Sequence, residues 1–278
     1  MEKILLAIDP SQFNPNTVDF ACYIAKITGS KLTALFLEDG GRQTVAALAS
    51  IPGLPFLNTT FTNSSQPAAT AKVREANVQL FEDLCRNRGV NFSIHCDQDV
   101  PLGEMITESR FADMLIIDSQ AFFDNGFEQH PTNFVRNVLR ASECPVIVAP
   151  RNFTEIDEIL FAYDGTPSSV FAIKQFNYLF PNLSDKKISV VQVHDDNEVP
   201  LVEKVRISEL LRAHYSRIGF GVLHGKPADK LFGHLNGKKN IFVVIGAFGR
   251  NAVSELITPS TAGHLIKGIN LPLFIAHH

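Results

Sequence analysis

Short apolar runs separated by longer stretches with helical spacing dominate this chain. In the first half the runs fall at 4–8, 31–37, 91–96, 114–117 and 146–149. Short β-branched runs alternating with amphipathic helical stretches call for a parallel sheet covered by helices on both faces. Helices fill the gaps. Asn14 or Asn16 can cap a helix running to Thr28, with Gly29 suited to a left-handed stop, and a second helix over 71–87 ends in the same way at Gly89. The second half predicts strands at 159–162, 187–193, 220–224, 241–245 and 273–276, with helices near 168–179, 202–217, 228–235 and 259–268.

The two halves also repeat in their letters. KILLAID at 3–9 returns as EILFAYD at 158–164, and ADMLIIDSQ at 112–120 returns as NIFVVIGAF at 240–248. Each half closes on a Pro-led apolar run, CPVIVAP at 144–150 and LPLFIAHH at 271–278. A tandem duplication is the simplest account, with domains 1–151 and 152–278 meeting near the polar stretch Arg151-Asn152-Phe153-Thr154. Five strands and four right-handed crossovers per half predict the fold class: α/β, two doubly wound open parallel five-stranded sheet domains. The ligand crevice of each then lies outside the carboxyl ends of its strands. Duplicated folds readily keep an ancestral two-fold contact, so the halves are expected to pack as an intrachain pseudo-dimer.

Composition narrows the function classes. A chain of 278 residues, 45% of them apolar, can bury two ordinary cores. A net charge of −4 and the lack of a long basic run argue against a nucleic-acid partner. The start MEKILLAIDP is too short and too polar-flanked for a signal peptide, and no apolar stretch approaches the roughly 18 residues of a membrane span, so a cytoplasmic protein is expected. Cys22, Cys85, Cys96 and Cys144 lack CxxC spacing and read as small hydrophobes. The triplets His95-Cys96-Asp97 and His194-Asp195-Asp196 stand at strand ends, where neighbours point to opposite faces, so neither is expected to hold a metal. The 22 phenylalanines, with no tryptophan, read as core. The irregular segment 39–70 reads as a surface excursion containing an apolar stretch, LASIPGLPFL at 48–57.

An opening strand ending in Asp, glycines after the fourth strand, a hydroxyl residue at the start of the last helix and the closing Pro-led strand together resemble the universal stress protein family in its tandem form. The resemblance spans nearly the whole chain. Its most specific element is the family's phosphate loop, Gly-x2-Gly-x9-Gly-Ser/Thr. Here it reads Gly246-Ala247-Phe248-Gly249, nine residues, then Pro259-Ser260, with Thr261 as a second hydroxyl and a proline in place of the third glycine. Such glycines let backbone N–H groups approach phosphate oxygens at a helix N-terminus.

By the same resemblance Asp164 contacts the nucleoside, Gly165 and Thr166 continue its turn, and the backbone at Val193 meets the adenine. Arg250 is a cation that the loop itself can bring to the phosphates. The cofactor implied is ATP or a related adenine nucleotide. The first half keeps Asp9 but carries Asp118 and Asp124 where phosphate would approach, and Asn133 is its sole polar group near the family's hydroxyl position. That half is therefore expected not to bind nucleotide. The resemblance also implies that strands 146–149 and 273–276 pair edge to edge. Three functional classes stay open: a stress-response binding or signalling module, a slow ATPase, and an interaction protein without nucleotide. The second lacks an evident general base, or a Mg²⁺ carboxylate beyond Asp164, so no catalytic residue is assigned. A homodimer and an unidentified protein partner also stay open.

Overall fold

In the computed structural model, residues 1–10, 12–37, 67–97, 101–118, 133–194, 200–246 and 269–276 are described. In chain order the elements are β1 (Lys3–Ile8), α1 (Pro15–Thr28), β2 (Lys31–Leu37), α2 (Pro67–Arg88), β3 (Phe92–Asp97), α3 (Pro101–Ser109), β4 (Met114–Asp118), α4 (Asn133–Ala141) and β5 (Val146–Ala149). The second half follows with β6 (Glu158–Ala162), α5 (Pro167–Leu179), a 3-10 turn at Pro181–Leu183, β7 (Lys187–His194), α6 (Lys204–Arg212), β8 (Ile218–His224), α7 (Pro227–Leu235), β9 (Ile241–Gly246) and β10 (Leu273–Ala276). Every expected strand is present. The expected helix at 259–268 and most of the irregular segment lie outside the described residues.

All strands belong to one sheet of ten, ordered β3-β2-β1-β4-β5-β10-β9-β6-β7-β8. The order is a palindrome: each half contributes five parallel strands, and the closing strands meet antiparallel at the centre, with Leu273 opposite Val148, Phe274 opposite Ile147 and Ile275 opposite Val146. The pseudo-dimer is thus built edge to edge, which removes two edges that would otherwise present unpaired N–H and C=O groups. Along β1, Ile4, Leu6 and Ile8 enter one core while Leu5 and Ala7 enter the other. Residues of α1, α2, α5 and α6 cover the first face, and residues of α3, α4 and α7 the second. Both cores run across the central seam. Phe274, Phe176, Phe180 and Phe242 pack ring to ring, Phe176 and Phe274 at 5.3 Å and nearly perpendicular. Burying each such ring contributes about 1.5–3 kcal/mol.

The helix boundaries follow local chemistry. Asn14 caps α1 by accepting from Asn16 N, Pro15 opens the helix, and Gly29 at φ 65° closes it. Gly89 at φ 66° ends α2 likewise. The expected helix at 202–217 is confined to Lys204–Arg212. Glu203 stands at φ 50°, outside helical geometry, because the preceding residues are drawn onto β7, and β8 already starts at Ile218. The connection between the halves is held from both sides. Phe153 packs on Phe20 and Tyr23 of α1, while Asn270 accepts from the backbone N–H groups of Arg151 and Asn152 at 2.7 and 3.1 Å.

Candidate functional site

The carboxyl ends of β7, β6 and β9 lie side by side in the second half, since Ala162 pairs with Val191 on one side and Ile245 on the other. The chain leaves β6 through Asp164-Gly165-Thr166. Asp164 Oδ1 accepts from Thr166 N at 3.0 Å and from Thr166 Oγ1 at 2.8 Å, closing a local turn. Thr166 then caps α5 by accepting from Ser169 N at 3.3 Å. Gly165 holds φ 80°, and a Cβ there would lie 2.6 Å from Val202 Cγ1. Gly246, the last residue of β9, faces the start of α5 so closely that a Cβ would stand 2.5 Å from Ser169 N and 2.6 Å from the carbonyl of Ser168. Its lack of a side chain is what lets the helix N-terminus reach the strand end.

Val193 is half-buried near the end of β7. Beside it Gln192 is fully buried; its Oε1 accepts from Val202 N at 2.8 Å, and its Nε2 has no partner among the described residues. Val202 is thereby held over Gly165. Burial, reinforced by the carboxylates of Glu203 and Asp164, raises the pKa of the Tyr163 phenol, which keeps its proton at neutral pH.

The first half repeats this architecture with a different residue at the strand end. Asp118 closes β4, and its Oδ2 accepts from Asn14 Nδ2 and Thr17 Oγ1, both at 2.8 Å. The carboxylate therefore sits on the N-terminal turn of α1. Next to it, Asp9, Gln12, Asn14, Thr17 and Asp118 line a cavity of about 300 Å³.

No family model matches the chain. A curated universal stress protein of Synechocystis is 20% identical, the match covering 98% of this chain and 99% of that protein. The crystal structure of a universal stress protein from Archaeoglobus fulgidus superposes with a TM-score of 0.66 at 15% identity, over 99% of this chain and 96% of that one. The chain resembles the universal stress proteins over its whole length. The cytoplasmic domain of a prokaryotic cation chloride cotransporter also superposes, with a TM-score of 0.52 at 10% identity over 99% of this chain and 94% of that domain. The universal stress protein fold therefore does not by itself fix a function, which has to be argued from the site.

Of the residues that the resemblance singles out, Asp164, Gly165, Thr166, Val193 and Gly246 gather at the ends of three adjacent strands. Gly249, Arg250, Ser260 and Thr261, with Pro259, lie outside the described residues, as does Asp124. Asn133 opens α4. Sequence reasoning missed Gln192 and Val202. The signal for Gln192 was a lone amide inside the apolar strand KISVVQVH; nothing in the sequence pointed to Val202. Among the described residues no group of three or more His, Cys, Asp or Glu is arranged to hold a metal, and no helix is long and apolar enough to cross a membrane.

Proposed function

We propose that this chain is a tandem universal stress protein acting as a stress-response binding or signalling module, with an adenine-nucleotide site in its second domain and a degenerate site in its first. The boundary between the domains falls near residue 151. The observation that carries this reading is the contrast at the ends of β4 and β9. Asp118 presents its carboxylate to the first turn of α1, whereas Gly246 presents no side chain to the first turn of α5. The strand-end carboxylate of Asp118 repels phosphate at the first turn of α1, whereas at α5 the strand end brings no charge and the nearby Asp164 carboxylate is engaged by the Thr166 cap.

Asp164 and the Val193 backbone would hold the nucleoside in this reading, and Gly249, Arg250, Ser260 and Thr261 would meet the phosphates. The nucleotide itself supplies the phosphate charge that the glycines and helix N-terminus accommodate. Its role is that of a bound signal, with no turnover required.

Titration calorimetry with a non-hydrolysable ATP analogue tests this. Gly249→Asp is expected to abolish binding, while Asp118→Ala leaves it unchanged; equal losses from both would move the site to the other half. Pro259→Gly restores a backbone donor and should tighten binding about tenfold, the worth of a hydrogen bond to a charged acceptor.

One observation favours the alternative, an interaction protein without nucleotide: Val202 lies against the Gly165 turn, so the chain itself covers part of the second-half crevice. Absence of heat in both the parent and the Pro259→Gly protein would select this alternative.

A further inference from the structure

We propose that Cys22 and Cys85 form a peroxide-sensitive thiol pair that closes to a disulfide between α1 and α2. The two sulfurs stand 3.7 Å apart on packed helices, and both side chains are buried, Cys22 at 1% exposure and Cys85 at 0%. A disulfide needs about 2.05 Å between sulfurs, so less than about 2 Å remains to be closed. Neither cysteine takes part in the candidate nucleotide site, and this inference stands independently of that reading.

The surroundings distinguish this pair from the other two cysteines. A hydrogen bond from the Cys85 thiol holds the Cys22 pKa below its ordinary value; burial opposes this, the Arg88 guanidinium assists it and the Asp19 carboxylate opposes it. The shared proton and burial push Cys85 upward. The contact between the two sulfurs lets one resolve the other once it is oxidised, and Cys22 is the one whose thiolate is favoured. Arg88 and Asp19 form an ion pair at 2.8 Å, each one helical turn from a cysteine on its own helix. Cys144, by contrast, is a buried thiol with its pKa pushed up to about 12, and Cys96 is exposed. Both serve as internal references.

The chemistry balances with hydrogen peroxide as oxidant. The Cys22 thiolate attacks a peroxide oxygen; an S–O bond forms, the O–O bond breaks, and the hydroxide released is protonated to water. The Cys85 sulfur then attacks the Cys22 sulfur; the S–S bond forms, the S–O bond breaks, and the leaving hydroxide takes the Cys85 proton to become a second water. Two electrons pass from the thiol pair to the peroxide. The link would fix α2, whose Asn77 donates to the Pro10 carbonyl at 2.7 Å beside the first-half cavity, and would close a chain loop containing β2.

The test treats the folded full-length chain, and a Cys96→Ser variant, with hydrogen peroxide, followed by alkylation under denaturing conditions and non-reducing tryptic mass spectrometry. Peptides 4–26 and 75–86 are expected to appear joined, lighter by two hydrogen atoms than their sum, and to separate on reduction. The melting temperature should rise by about 5 °C or more and fall back with reductant, as expected for a cross-link closing a long loop. In Cys85→Ser the Cys22 sulfenic acid should persist and be trapped by a dimedone probe; if that variant fails to fold, the peptide result on the parent chain decides. The proposal is overturned if both cysteines remain fully alkylatable while Cys96 is oxidised in the same sample, or if Cys22 advances to sulfinic acid without forming the link.

Discussion

Asp118 and Gly246 occupy the same place in the two halves: each ends the fourth strand of its half, and each stands opposite an alanine of the closing strand, Ala149 or Ala276. The helices they face also begin alike, with a proline behind a side-chain cap, Asn14 before α1 and Thr166 before α5. Both helix starts present backbone N–H groups without intrahelical acceptors. The first half places an anion from its own sheet beside this start, its carboxylate accepting from the Asn14 and Thr17 side chains. The second half brings the helix backbone flush against a strand end that has no side chain. A single position in a shared register therefore decides whether the strand end brings a fixed negative charge to the first turn of the facing helix.

Exchanging the two residues is the strongest way to break this comparison. Gly246→Asp must displace backbone 2.5 Å from the new Cβ, and backbone cannot rotate away as a flexible side chain would. We expect a loss of about 3 kcal/mol or more, read as a fall in melting temperature of roughly 6–12 °C. A near-neutral result would mean that α5 can slide, and that the close approach is not what requires glycine. The reverse exchange, Asp118→Gly, removes the acceptor of two part-buried donors. It should cost about 1–3 kcal/mol in urea unfolding, with Asn14→Ala in the Asp118→Gly background adding less than it does alone. Full additivity would show that the Asn14 and Asp118 side chains are not coupled.

The central strands were legible because burial on both faces writes nearly uninterrupted apolar runs, as in β1, β4, β5, β9 and β10. The edge strands β3 and β8 are only partly buried and were legible from their place between helical stretches. The palindromic seam was legible because the closing runs of the two halves match. Helix α1 was readable from Asn14 and Gly29, which act within one turn of the residues they cap. What escaped the sequence acts over long separations. Asp118 meets Asn14 and Thr17 from 104 and 101 residues away, so the sequence could mark a misplaced carboxylate at that site but not the donors that hold it. Gly246 read as a phosphate-loop glycine, yet its immediate neighbour is the start of α5. The late start of α6 depends on Gln192 drawing Val202 onto β7, a contact between a buried amide and a loop that no periodicity records. Of the candidate site, Asp164, Gly165 and Thr166 came from the family resemblance, and their turn is held by contacts within three residues; the rest depends on how distant elements are brought together.

The turn after β6 offers a smaller test of the same contrast, because it asks how tightly the second-half crevice is covered. Gly165→Ala meets two obstacles: a backbone at φ 80°, which costs an L-residue about 1–2 kcal/mol, and a Val202 Cγ1 only 2.6 Å from the new methyl. Val202→Ala removes the Cγ1 contact but keeps a Cβ 3.1 Å from the new methyl. The double variant should therefore recover part of the loss, leaving at least about 1–2 kcal/mol from the backbone. No recovery at all would show that Val202 already yields to the methyl, and that it covers the turn only loosely.

The smallest expected effect lies at the other end of the same strands, where β1 starts with Lys3 and β6 with Glu158, each opposite a lysine of the neighbouring strand. Lys3 turns away to Glu108 at 2.8 Å, whereas Glu158 takes Lys187 across the ladder at 2.8 Å and also accepts from the Ser189 hydroxyl. Burial alone would raise the Glu158 pKa, but the hydrogen bonds from Lys187 and Ser189, with the charges of Lys187 and Lys238, outweigh it and set the carboxyl below its ordinary value of 4.5. A carboxyl with a depressed folded-state pKa binds its proton more readily in the unfolded chain. Its stabilisation is therefore present above 4.5 and is lost as pH falls through the lower folded-state value. Glu158→Gln should cost at most about 1 kcal/mol at neutral pH, since Lys187 is largely exposed and solvent screens the pair. Urea midpoints of the parent and variant should converge on acidification below the ordinary carboxyl range, and high salt should narrow the gap at neutral pH. A gap that is the same at both pH values would mean that Glu158 acts through shape and neutral hydrogen bonding, and that the Lys-for-Glu difference between the two halves carries no electrostatic weight.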